Sequence, residues 1–304
     1  MTLSAWPTHW RLRTRSLELP HPGGTIARPL VMGIVNVTPD SFSDGGRHAG
    51  VEAAVAHGLA LVAEGADILD VGGESTRPFS APVAEAEELR RVAEVVRRLA
   101  ADSGIPVSID TSKAAVAERA IDLGAEIIND VTGLEGDPRM LEVARATGAG
   151  VCVMHMQGTP QTMQLDPRYD DVVAEIHAYL AARRDTLLGA GIPLEKICLD
   201  PGIGFGKTHE HNLELMRSTG RFLDLGPPIL VGHSRKGFLA KLTERGLGRP
   251  ASEADRDAAT AGAACSLAAQ GVQIIRVHAV GLVRTALEIF SATGASFRGN
   301  LRGL

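Results

Sequence analysis

The amino-acid sequence predicts a (β/α)8 TIM barrel, and three observations carry that prediction. Eight short apolar runs recur along the 304 residues, separated by stretches of helical period. The runs are apolar on both faces, as strands of a parallel sheet covered by helices must be. Most of them end in a polar or charged residue, which is how a barrel gathers chemistry at the C-terminal ends of its strands. An open doubly wound sheet fits this count less well, and no GxGxxG follows the first main strand.

In chain order, residues 1–28 stand apart and are expected to form an N-terminal hairpin extension. RLRTRSLEL (11–19) reads as its strand and His21-Pro22-Gly23-Gly24 as its turn. Residues 29–304 are expected to form one barrel domain. Its strand candidates are LVMGIVNV (30–37), DILDVGG (67–73), PVSID (106–110) and EIINDV (126–131). They continue with VCVMHM (151–156), ICLDPG (197–202), PILVGHS (228–234) and IIRVHAV (274–280). The intervening segments have helical period. In 83–100, for example, Leu89, Val92, Val96 and Leu99 share a face.

Composition bounds the function. The chain is 44% apolar and 22% charged, ordinary for a globular protein with a sizeable core. A net charge of -5 argues against electrostatic binding to nucleic acid. Cys152, Cys198 and Cys265 have no CxxC spacing, and the first two sit in apolar runs, so buried free thiols are expected. No apolar stretch of signal-peptide or membrane-spanning length is seen, and a cytoplasmic location is expected.

The strand ends carry Asn36, Glu74, Asp110, Asn129 with Asp130, His155, Asp200, Ser234-Arg235-Lys236, and Arg276 with His278. In a barrel these converge on one mouth. Two carboxylates, Asp110 and Asp200, with the amide of Asn129 suit a flat heterocycle bearing adjacent N–H donors, such as an aminopyrimidinone. Each charge-assisted bond would contribute roughly 1.5–3 kcal/mol. Lys236 suits the ring carbonyl. An ion pair of Asp110 or Asp200 with Lys236 or Arg235 is compatible with that use. Arg276 and His278 lie two apart on the last strand, just before Gly281 and a helix, which suggests the seat of a phosphate or pyrophosphate. In DPGIGFGK (200–207), Gly202 stands four residues before Gly206 where a phosphate loop needs five. That segment reads instead as a loop bringing backbone near a ligand, with Phe205 as an aromatic wall. His155, His209 and His211 lack the spacing of a zinc site.

Taken together, NVTPDSFSDGG (36–46), GGESTRP (72–78), DTSK (110–113), IND (128–130), MHMQG (154–158), DPG with GFGK (200–207), SRK (234–236) and RVH (276–278) closely resemble the dihydropteroate synthase family. The resemblance implies a TIM barrel, condensation of 6-hydroxymethyl-7,8-dihydropterin pyrophosphate with 4-aminobenzoate, Mg2+, a homodimer and a sulfonamide target. It implies that Asp110, Asn129, Asp200 and Lys236 hold the pterin. Asn36, Arg276 and His278 would hold the pyrophosphate, with Asn36 near the metal, and Thr76, Arg77, Pro78, Phe205 and Ser234 would form the aminobenzoate site. Asp110, Lys236, Arg276 and His278 would carry the catalysis. Loops 37–47 and 74–82 would order over the substrates. The chain departs from the family pattern at Phe79, where Gly is usual, at Ala279, where Asp is common, and at Ile203, where an aromatic is common. Two other readings differ in chemistry. A pterin-barrel methyltransferase leaves the SRK and RVH cations unexplained, and a pterin-binding paralogue without catalysis would show altered loops.

Overall fold

All eight apolar runs pair in parallel and close on themselves. The structure, a computed structural model, describes residues 6–21, 24, 27–37 and 46–293. The main strands are β3 (Leu30–Asn36), β4 (Ile68–Gly72), β5 (Val107–Asp110), β6 (Ile127–Asp130), β7 (Gly150–Met154), β8 (Ile197–Asp200), β9 (Leu230–Val231) and β10 (Ile274–Val277). They neighbour one another in the order β8-β7-β6-β5-β4-β3-β10-β9. A parallel bridge between Leu199 and Ile229, with Leu199 N–H donating to Pro228 O at 3.0 Å, joins β8 to the entry of β9 and completes the ring. β9 is much shorter than PILVGHS suggested. Pro227 and Pro228 have no N–H to give a ladder, and the Ile229 N–H goes to Gln273 Oε1 (3.0 Å).

Helices α1 (Gly46–Ala63), α2 (Glu85–Asp102), α3 (Ala114–Asp122), α4 (Met140–Thr147), α5 (Val172–Gly189), α6 (His209–Ser218), α7 (Gly237–Leu247), α8 (Glu253–Ala269) and α9 (Val280–Ala292) lie between and after the strands. In α2, Glu85, Glu87 and Glu88 occupy the first turn, where the helix dipole favours anions. Val92, Val95, Val96 and Leu99 are buried, each contributing roughly 1.5–3 kcal/mol. No helix among the described residues is long and apolar enough to cross a membrane. Cys152 and Cys198 are buried free thiols, and Cys265 is free and partly exposed.

The N-terminal hairpin is present, but its turn falls elsewhere than expected. β1 (His9–Arg11) pairs antiparallel with β2 (Ser16–Glu18), and Leu12 N–H donates to Arg15 O at 2.8 Å. The turn therefore divides RLRTRSLEL, while Pro22 and Gly23 lie outside the described residues. The hairpin stoppers the barrel. Trp10, Leu12 and Leu19 are buried against Met32, Ile68, Ile127, Cys152, Cys198, Leu230 and Ile274. Trp10 Nε1 donates to Lys196 O at 3.0 Å, so its one polar atom is satisfied.

Candidate active site

Side chains two residues apart share a face of a strand. Ile68, Ile127, Cys198 and Ile274 belong to the apolar floor, and two residues further along the same strands stand Asp70, Asn129, Asp200 and Arg276. One step along four strands thus turns an oily plug into a charged chamber.

Arg276 is the centre of that chamber. It donates from Nε to Asp70 Oδ2 (2.6 Å) and from a terminal nitrogen to Asp110 Oδ2 (2.7 Å). Asn129 Nδ2 donates to the same Asp70 oxygen at 3.1 Å. The alternative of an ion pair between Asp110 and Lys236 or Arg235 is not what forms; Arg276 takes that place. Asp70 is fully buried, and its Oδ1 has no hydrogen-bond partner among the described residues. The sequence reading passed over it inside the apolar run DILDVGG. A lone carboxylate in the middle of a two-faced apolar strand was the signal available.

Burial raises the Asp110 carboxyl to about 7, against the lowering pull of Arg276. Asp200 is also raised by burial, although Gly202 N–H donates to its Oδ1 at 2.7 Å. Burial brings the Lys236 amine down to about 7. For Arg276 burial works to lower the pKa, but Asp70 and Asp110 outweigh it and raise it. Lys236 Nζ donates to Ile203 O and sits 4.4 Å from the centroid of the Phe205 ring. Asp110 Oδ1 and Asp200 Oδ2 accept no hydrogen bond from the described residues. A chamber with unsatisfied carboxylate oxygens suits a ligand rich in N–H donors.

His278 follows the last residue of β10. Its Nδ1 lies 2.9 Å from Ser234 Oγ, and its backbone N–H donates to the same hydroxyl at 3.2 Å. Ser234 therefore orients the imidazole despite Ala279. Burial lowers His278 to about 4, helped by Arg276, Arg235 and Arg77. A neutral imidazole beside three cations is poised for an anion, which would reverse the shift. By NMR, His278 is expected to titrate near 4 in the free protein and to move upward when pyrophosphate is added. Titration at 6.5 unaffected by pyrophosphate would refute this assignment. The helix N-terminus expected to share the anion is partly taken: Gly281 N–H donates to Glu64 Oε2 at 3.0 Å.

Other members of the expected polar ring have local partners. Glu74 pairs with Lys113, which also meets the buried Glu88. Asp130 accepts from Thr132 N–H and hydroxyl, both at 2.7 Å, and fixes the turn after β6. Arg235 adopts φ +58, a strained choice for a long side chain, and turns to Asp257 (2.6 Å) and Glu253 (2.7 Å). That reversal lets its neighbours Ser234 and Lys236 reach His278 and Ile203.

Thr76, Arg77 and Pro78 lie in the loop after β4. Ser80 Oγ donates to Arg77 O (2.8 Å), Phe79 N–H to Pro160 O (3.0 Å), and Gln161 Nε2 to Ser80 O (3.1 Å). This loop leans on the one after β7. No hydrogen bond joins Thr76 or Pro78 to the chamber among the described residues, whereas the charge of Arg77 is felt at His278. Phe79 has φ +64 and is 66% exposed, in a conformation that glycine adopts without strain. Of loop 37–47, residues 38–45 lie outside the described residues.

Asn36 stands exposed at the end of β3. Among the described residues no group of three or more His, Cys, Asp or Glu side chains is placed to hold a metal. Mg2+ keeps several waters and binds through one or two protein oxygens plus substrate phosphates. A lone amide oxygen at the rim fits an ion that arrives with a diphosphate.

Asp70, Asp110, Asn129 and Arg276 meet inside a parallel barrel, and comparison gives the class of that barrel as the pterin-binding enzymes. The family model described as "Pterin binding enzyme" matches residues 32–278. Dihydropteroate synthase of Escherichia coli is 45% identical over 278 residues, covering 91% of this chain and 94% of that protein. The Xanthomonas albilineans dihydropteroate synthase solved with 4-aminobenzoic acid superposes with a TM-score of 0.85 at 43% identity, covering 95% of this chain and 98% of that one. The same enzyme in complex with 7,8-dihydropteroate gives 0.79 at 39% identity, covering 94% and 98%. The chain belongs to the dihydropteroate synthase family.

Proposed function

We propose that this chain is a transferase of folate synthesis that condenses 6-hydroxymethyl-7,8-dihydropterin pyrophosphate with 4-aminobenzoate. The products are 7,8-dihydropteroate and pyrophosphate. The observation that carries the reading is the Arg276–Asp110–Asp70 cluster in the barrel interior, with Asn129 bonded to it. The relatives solved with 4-aminobenzoic acid and with 7,8-dihydropteroate support the same substrates.

Pyrophosphate leaves from a CH2 attached to an electron-rich ring, so the bond breaks towards a cation delocalised over the pterin. Asp110 and Asp200 receive ring N–H groups through their open oxygens, and Lys236 donates to the ring carbonyl. As positive charge grows on the ring, an ionised Asp110 stabilises it. Arg276 and His278 receive the departing diphosphate. Mg2+, bound with the diphosphate and held by Asn36, would offset part of its charge. The amine of 4-aminobenzoate is neutral at pH 7 and attacks the CH2 as its bond to the pyrophosphate oxygen breaks; the acidic anilinium proton then passes to pyrophosphate or water, so no strong base is required. Its ring would lie among Thr76, Arg77, Pro78, Phe205 and Ser234. The protein is proposed to work in the cytoplasm as a homodimer.

The test is direct. Purified protein with Mg2+, the pterin pyrophosphate and 4-aminobenzoate is expected to release pyrophosphate and form dihydropteroate in equal amounts. Tight pterin binding with no turnover would mark a non-catalytic paralogue and defeat the proposal.

A further inference from the structure

Lys207, the last residue of GFGK, is 2% exposed, and among the described residues it forms no ion pair. Its Nζ meets only neutral acceptors: Phe205 O at 2.9 Å, His155 Nδ1 at 3.0 Å and His155 O at 3.4 Å. Burial pulls this amine well below its ordinary range, and lowers His155 to about 3. The charge of Asp200 reaches this amine without a direct ion pair, so burial outweighs it, and methionine would fill the same volume without a polar end.

The surroundings show what the contacts hold. The loop after β8 runs over the end of β7 so closely that a Cβ on Gly202 would stand 1.9 Å from His155 O, and one on Gly206 2.4 Å from Gln157 O. Tyr169 Oη donates to Gly206 O (2.8 Å), and Gln164 Nε2 donates to Gly204 O (2.8 Å). Both of those ties grip glycines. Lys207 alone among these side chains grips the carbonyl of Phe205, whose ring lies under Lys236 Nζ at 4.4 Å.

We propose that Lys207 is a positioning residue, tying the Phe205 backbone to His155 so that the Phe205 ring stays in place as one wall of the aminobenzoate site, while Lys236 is held separately by Ile203 O. This rests on the proposed function for the identity of the ligand, and on geometry alone for the tether.

The test is Lys207→Met. The KM for 4-aminobenzoate is expected to rise at least fivefold, while the KM for the pterin pyrophosphate stays within twofold. The melting temperature is measured alongside, since Phe205 O and His155 lose their donor while a buried amine is removed. Two results would overturn the proposal: both KM values and kcat within twofold of the parent, or equal changes for both substrates, as a loss of folded protein or general loosening would give. Lys207→Gln, which keeps a donor at shorter reach, is the second variant should the first not fold. It is expected to shift the same KM by a smaller factor, and no shift overturns the tether. Parent protein that releases no pyrophosphate would defeat the function but leave the tether testable. The Gly204 and Phe205 amides should then exchange faster with deuterium in Lys207→Met, with α2 and α3 unchanged. Identical exchange would overturn the proposal.

Discussion

Arg276→Ala is expected to cost both turnover and stability. The substitution leaves the carboxylates of Asp70 and Asp110 buried without the cation that both contact. Breaking a buried ion pair from one side typically costs about 3–5 kcal/mol, on the order of 10 °C in melting temperature for a chain of this size. Turnover should fall at least tenfold, because the guanidinium is also proposed to receive the diphosphate. The sign of the pH effect is fixed by Asp110, which burial raises from 3.8 to about 7. A group raised in the folded state contributes stability below its unfolded value that is lost as pH climbs through its folded value. Arg276 holds that value down, so Asp110 of the variant takes up its proton above pH 7, and part of the loss should be regained as pH falls towards 7. Arg276→Met combined with Asp70→Asn and Asp110→Asn should restore stability without restoring turnover. A single variant that melts with the parent and turns over normally would remove Arg276 from the centre of the site.

Trp10→Ala should do the opposite, harming stability and sparing catalysis. Trp10 is fully buried in the floor cluster, and its indole N–H is satisfied by Lys196 O. Emptying such a site costs about 3–5 kcal/mol, because the surroundings collapse only in part. Lys196 O also loses its donor. Chemical denaturation should report this loss, while kcat per folded molecule stays within twofold at low temperature. A large change in kcat with unaltered stability would contradict the role of the hairpin as a stopper.

The barrel was legible because both determinants of its strands are local. Runs apolar on both faces alternate with helical period, and each of the eight barrel strands expected from the sequence is present. Strand lengths were less legible. β9 shrinks to Leu230–Val231 because two prolines and a side-chain acceptor from Gln273 divert its ladder, and only the first of these is visible in sequence. The hairpin was placed correctly but its turn was not. Leu12–Arg15 has no glycine to mark it, whereas His21-Pro22-Gly23-Gly24 has the stronger local signal.

The site was legible as a set of strand ends, but not as pairings. Arg276, expected with His278 at the seat of a diphosphate, binds Asp110 and Asp70 inside the barrel, Asn129 joins them through Asp70, and Ser234 meets His278. Which carboxylate faces which cation depends on the neighbours that ring closure supplies, and β10 pairs with β3 across almost the whole chain. Asp70 escaped notice because polar residues inside parallel strands are hidden by apolar residues on either side. Lys207 escaped because a lysine at a loop end reads as solvated until its burial is seen.

The stopper at the hairpin end has a consequence for traffic. With Trp10, Leu12 and Leu19 filling one end of the barrel, that end offers a ligand no passage among the described residues. On the proposed function, a bicycle seated near Asp70 and Asp110 would enter before the amine that lies above it, so three apolar side chains far from any reacting atom would set the order of the queue.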